Sequence, residues 1–103
     1  MTLEELKSRC ENEGFKYAYG NFKKSVKPPY LVVAETSQES FKADNIVYFK
    51  RTSVELVYIY LDKDIEEQKK IEENILKDIV WKKDDETYYS DDKVWGISYF
   101  FEI

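Results

Sequence analysis

A chain of 103 residues has room for one domain, taken as 1–103, and for a single thin core. It holds no histidine, one cysteine and three glycines, which excludes Ser–His–Asp and Cys–His catalysis, an intramolecular disulfide and a glycine-rich phosphate loop. With 16 basic against 21 acidic residues its net charge is −5, which gains nothing from counterion release and argues against sequence-specific nucleic-acid binding.

Thr2 followed three residues later by Glu5 has the spacing of a capping box. Leu3, Leu6 and Cys10 then form one helical stripe, and Gly14 supplies a stop, so a helix is predicted over 3–13. Cys10 on that stripe is expected to behave as a small buried hydrophobe. Residues 15–22 are aromatic-rich and read as a short strand or an extended link. After Pro28 and Pro29, the run Tyr30-Leu-Val-Val-Ala34 reads as a strand, with the prolines at its start where a sheet tolerates them.

Residues 35–45 are polar and read as an exposed loop, with Phe41 the odd aromatic inside it. Ile46-Val-Tyr-Phe49 is a further β-run, and Arg51-Thr-Ser53 reads as a tight turn. Residues 54–61 are apolar on both alternating faces, which predicts a central strand covered on both sides. Asp62 and Asp64 are N-cap candidates for a helix running to about Ile79, with Ile71, Ile75 and Ile79 on one face and charges on the other. Residues 82–86 read as a polar turn and 87–89 as a short strand. The final strand, from Val94, alternates Ile97, Tyr99, Phe101 and Ile103 against Ser98, Phe100 and Glu102, which ties the last residue into a sheet.

The order predicts an α+β fold with a mostly antiparallel sheet of about five to six strands and two helices packed on one face. Nine Tyr, six Phe and two Trp fit either a tyrosine-rich sheet surface in a monomer or an assembly interface. The acidic residues fall mainly on a helix face, where they solvate, and a domain this small rarely holds both a core and a deep cleft. No enzymatic activity, cofactor or metal is therefore expected. No apolar run approaches the roughly 20 residues of a membrane span, and the first residues read as helix rather than a signal peptide, so folding in a cytoplasm without membrane contact is expected.

Taken together, Tyr19-Gly-Asn-Phe22, Pro28-Pro29-Tyr30, Phe41-Lys-Ala-Asp-Asn45, Val47-Tyr48, Tyr60-Leu61-Asp62, the acidic helix and the aromatic ending Phe101-Glu-Ile103 resemble the tail-terminator, or head–tail joining minor capsid, proteins of long-tailed phages and prophages of Gram-positive bacteria. The resemblance covers nearly the whole chain and rests on the order of its motifs. It implies a structural virion protein that assembles as a homo-oligomeric ring, commonly a hexamer. Such a ring caps the head-proximal end of the tail tube, meets the tail-tube protein on one side and the head connector on the other, and passes from the host cytoplasm into the virion. The family brings no catalytic residues. It implies contact surfaces on the long loop, where Phe41, Lys42, Asp44 and Asn45 are the candidates, with local loop packing the alternative for Phe41 and Asp44. The competing readings are a monomeric acidic protein-binding or inhibitor module and a small carboxylate enzyme.

Overall fold

The computed structural model describes residues 1–20, 22, 25–43 and 46–103, with the backbone alone for 37–43 and 46–51. Helix α1 (Leu3–Asn12) begins where the Thr2 side chain accepts a hydrogen bond from the Glu5 amide at 3.1 Å. It ends in a Schellman motif: Gly14 at φ +85° lets its amide reach Glu11 O at 3.0 Å and the Phe15 amide reach Cys10 O at 3.1 Å. Six strands follow in one sheet: β1 (Lys16–Tyr19), β2 (Tyr30–Ala43), β3 (Ile46–Tyr60), β4 (Trp81–Lys83), β5 (Thr87–Tyr89) and β6 (Val94–Glu102). Their order is β1-β2-β3-β6-β4, with β5 also paired to β6, and only β1 against β2 is parallel. The α+β class and the mostly antiparallel sheet are those expected.

Strand β3 is central, between β2 and β6. Its Val54, Leu56, Tyr58 and Tyr60 are all buried and lie in register with Leu31 and Val33 of β2 and with Ile97, Tyr99 and Phe101 of β6. Leu6 and Cys10 of α1 and Ile71, Ile75 and Leu76 of the second helical segment belong to the same cluster. The opposite face of β3 is not covered as expected. There Glu55 and Val57 stay half-exposed, and only Ile59 is buried. The alternation was apolar enough for two covers, but the two helical segments among the described residues both contribute their buried residues to the one cluster.

The second helical segment departs from the even periodicity read in sequence. Asp64 caps it, accepting from the amides of Glu66 and Glu67 at 3.0 and 3.3 Å. An α-helical turn, α2 (Ile65–Lys69), then widens into a π-helical stretch, Lys70–Ile75, closed by the Leu76 amide on Ile71 O at 2.9 Å. An i→i+5 repeat turns Leu76 toward the core alongside Ile71 and Ile75, and all three are buried. Ile79, expected as the last residue of the face, lies beyond the helical residues and packs half-buried against the cluster.

Two neighbouring tyrosines tie this segment to the sheet. Tyr58 donates to Glu67 at 2.6 Å, and Tyr99 donates to Glu72 at 2.7 Å. Lys83 on β4 holds the same Glu72 oxygen at 3.0 Å. Arg9 of α1 clamps the far end, donating to Ile75 O at 3.0 Å and, through both terminal nitrogens, to the Asp78 carboxylate at 2.7 and 3.0 Å. Trp81 packs edge-on to Tyr99 with ring centroids 5.4 Å apart. Lys82 and Lys83, read in sequence as the start of a polar turn, thereby join Trp81 in a strand on the β6 edge.

Candidate interaction surface

The clearest departure from the sequence reading is the most informative. The predicted loop does not form over residues 35–43, nor the predicted turn at 51–53, and the loop's last two residues, 44 and 45, lie outside the described residues. Instead β2 and β3 run as one long hairpin, paired from Tyr30 opposite Ile59 out to Ala43 opposite Ile46. Local composition favoured a loop because Ser, Gln and Glu carry little strand preference individually. Cross-strand pairing overrides that preference, since an antiparallel partner satisfies every second backbone group whatever the side chain. A register shift between Glu35 and Ser37 marks a bulge at the point where the hairpin leaves the body.

Beyond that bulge the hairpin stands alone. Strand β1 pairs with β2 only as far as Val33, and β6 reaches β3 only to Ser53, with Ile103 exchanging backbone bonds with Thr52 at 3.0 and 3.2 Å. Residues 37–51 therefore have no third strand among the described residues. At about 3.3 Å per residue, 37–43 extend the ribbon by roughly 23 Å. The molecule measures 51 Å along its long axis against 28 and 26 Å across. Among the described residues nothing pairs with the outer edges of this arm, whose amides and carbonyls are a template for pairing with another chain.

Of the four candidate contact residues, the arm contains two. Phe41 and Lys42 lie near its end, at register positions opposite Phe49 and Val47. Asp44 and Asn45 lie outside the described residues. A second element was not singled out in sequence. A recess of about 760 Å³ opens at the root of the arm, walled by Thr36 and Val54 at the root, by Phe101 and Ile103 at the end of β6, and by Val80 and Trp81. Val80 is 93% exposed, an apolar side chain on the rim with almost no cover. The only sequence signal for it was a branched apolar residue just after the helical stripe had ended.

The electrostatics around this surface are structural. Asp78, on the recess wall, is held down to about 2 by the hydrogen bonds and charge of Arg9. Burial pushes the Cys10 thiol up to about 12, which leaves it protonated and inert at neutral pH. Burial and the adjoining Glu72 carboxylate raise Tyr99 well above the ordinary phenol range. Among the described residues, no group of three or more Cys, Asp or Glu is placed to hold a metal ion, and no helix is long and apolar enough to cross a membrane. Comparison with known protein families and with curated proteins finds no match.

Proposed function

We propose that the chain is a non-catalytic assembly subunit of a virion, a tail-terminator or head–tail joining protein that works as an oligomeric ring. The observation that carries this reading is the free-standing arm. An isolated two-stranded ribbon is marginal in water, and it gains order when another surface covers it or another strand extends it. A ribbon of roughly 23 Å with open edges suits a subunit that must grip a neighbour. The motif order that resembles tail terminators supplies the particular assembly: a ring, commonly hexameric, between tail tube and head connector. The acidic balance suits that place, because a ring multiplies the −5 of each copy and a negative lumen repels passing DNA.

Light scattering over a concentration series, paired with negative-stain imaging, tests the reading. Rings that appear with rising concentration, or on addition of tail tubes, are the expected result. A monomer at every concentration that is also not captured by tail tubes overturns it.

A further inference from the structure

We infer that the end of the sheet opposite the arm is a docking surface for a basic, arginine-bearing segment of another protein. The surface is separate from the arm, so the inference does not rest on the ring reading. Two stretches build it, residues 61–67 after β3 and residues 84–95 around β5 and the start of β6. Register brings them together. Trp95 lies opposite both Tyr60 and Tyr88, and Lys63 reaches Glu86 at 2.7 Å. Tyr30, Ile59 and Gly96 mark the same end of the sheet, whereas the arm leaves from the other end, past Glu35 and Val54.

Apolar side chains are left uncovered here. Of the seven exposed large apolar side chains among the described residues, five lie in these two stretches: Leu61, Ile65, Tyr88, Tyr89 and Trp95. The Tyr88 and Trp95 rings pack with centroids 5.1 Å apart and remain 49% and 38% exposed, so a cation can reach them. Beside them, Tyr60, Leu61 and the acidic turn that follows line a hollow of about 510 Å³ together with Pro28 and Pro29. Tyr60 is only 2% exposed, yet its hydroxyl lacks a well-formed hydrogen bond and has the Glu86 carboxylate beside it.

Charge selects the occupant. Residues 61–67 hold four acids against Lys63 alone, and residues 84–95 five against Lys93 alone, a net of −7, while the whole chain carries −5 and everything else therefore +2. Little of this is neutralised within the chain. Lys63 is taken by Glu86, and Lys69 approaches Glu66 only to 3.9 Å. Asp62, Asp84, Asp85, Asp91 and Asp92 have no cation within ion-pair distance among the described residues. Lys82 and Lys83 sit farther down the sheet, opposite Phe100 and Tyr99, and Lys83 holds Glu72. On the β1 flank stand Lys27 and Lys16, the latter donating to the Lys27 carbonyl. Carboxylates interleaved with exposed aromatic rings fit a guanidinium, which pairs with the first through its fork and stacks on the second. The phosphates of nucleic acid or of an anionic membrane are repelled, and a second copy, itself at −5, is a poor electrostatic match.

Fluorescence anisotropy at low salt tests this with a labelled peptide of alternating arginine and glycine, set against a lysine peptide of the same length and charge. Saturable binding is expected, about threefold tighter for arginine than for lysine. Asp91→Asn combined with Asp92→Asn, in an exposed turn, should weaken it about fivefold, and Tyr88→Ser about threefold, with folding checked by circular dichroism. Glu4→Gln combined with Glu5→Gln removes the same charge from the first turn of α1, which lies beside Thr52 and Ile103 at the arm end of the sheet, and should weaken it less than about twofold. Absence of saturable binding overturns the docking surface. So does a Glu4 and Glu5 control that weakens binding as much as the Asp91 and Asp92 variant, or an arginine peptide that binds no better than the lysine one. Each of these results leaves the ring reading standing, and a chain that never forms rings leaves the peptide binding as expected.

Discussion

Removing one hydroxyl, with Tyr99→Phe, tests how the helical segment is fastened to the sheet. The Tyr99 ring is fully buried, and its hydroxyl donates to Glu72 at 2.7 Å. A hydrogen bond to a charged acceptor contributes about 1.5–3 kcal/mol. Glu72 keeps Lys83 at 3.0 Å and its side chain is 23% exposed, so water replaces part of what is lost. The lower end, about 1.5 kcal/mol, is expected, out of a total of order 5–15 kcal/mol. For a domain of about 100 residues that loss corresponds to a fall of roughly 6–12 °C in melting temperature. Urea unfolding followed by circular dichroism measures it, with Tyr88→Phe as the control because Tyr88 is 49% exposed. The same pair predicts an alkaline effect. A phenol whose folded pKa is raised contributes stability that is complete below its unfolded value near 10 and is lost as the pH climbs above it. Tyr99→Phe should soften that decline. A Tyr99→Phe variant within about 0.5 kcal/mol of the parent, or a control that loses as much, would refute the reasoning.

Asp78→Asn should flatten stability between about pH 4 and pH 2. Arg9 holds the Asp78 carboxylate down to about 2, so the stability it contributes is present above the ordinary carboxylate range and lost as the pH falls toward 2. Thermal melts across that window read the difference between parent and variant. Gly96→Ala should destabilise by about 1–3 kcal/mol, because a Cβ there would sit 2.6 Å from the Tyr89 ring and 3.1 Å from Ile59 Cδ1. Combining it with Tyr89→Ala should recover part of the loss, and a double-mutant cycle in urea gives the coupling.

The body of the fold was legible where local chemistry and tertiary packing agree. Thr2, Glu5 and Gly14 delimit α1 through bonds that form within the helix itself, so sequence spacing was enough to place both ends to within a residue. The alternation of 97–103 separated the buried face of β6 from its other face because a two-residue period fixes the side of each residue, whereas 54–61 read as apolar on both faces and gave no sign of which would stay open. The arm was not legible. Glu35, Ser37, Gln38 and Glu39 have no intrinsic reason to be extended, and their strand state comes from partners between 51 and 54 that lie beyond any local window. The π-helical stretch was hidden for a similar reason, since Ile71, Ile75 and Ile79 satisfy an ordinary helical stripe and only packing turns Leu76 inward. The recess at the arm root combines residues from Thr36 to Ile103, a grouping that exists only once the register is set.

That separation between a locally encoded body and a partner-encoded arm has an energetic consequence. Among the residues whose side chains are described, the buried cluster runs through α1, the helical segment and the body of the sheet. Each arm residue held in one conformation costs about 1–2 kcal/mol of backbone entropy, and a ribbon without a third strand recovers little of it by burial. The arm therefore adds little to the folding of its own chain, and its order draws on whatever covers it. Replacing 37–51 with an Asn-Gly turn between Thr36 and Thr52 should leave the body folded, because the bonds of Thr52 with Ile103 and the pairing of β2 with β3 from Glu35 and Val54 inward remain. The body should melt within about 4 °C of the parent, the shift that a surface change of about 0.5 kcal/mol produces in a domain this size. The same variant should fail to assemble at any concentration. If the shortened chain instead melts without cooperativity, the arm belongs to the folding unit and the division drawn here is wrong. If it melts normally and still forms rings, the grip between copies lies on the half-covered sheet face around Val57 rather than on the arm.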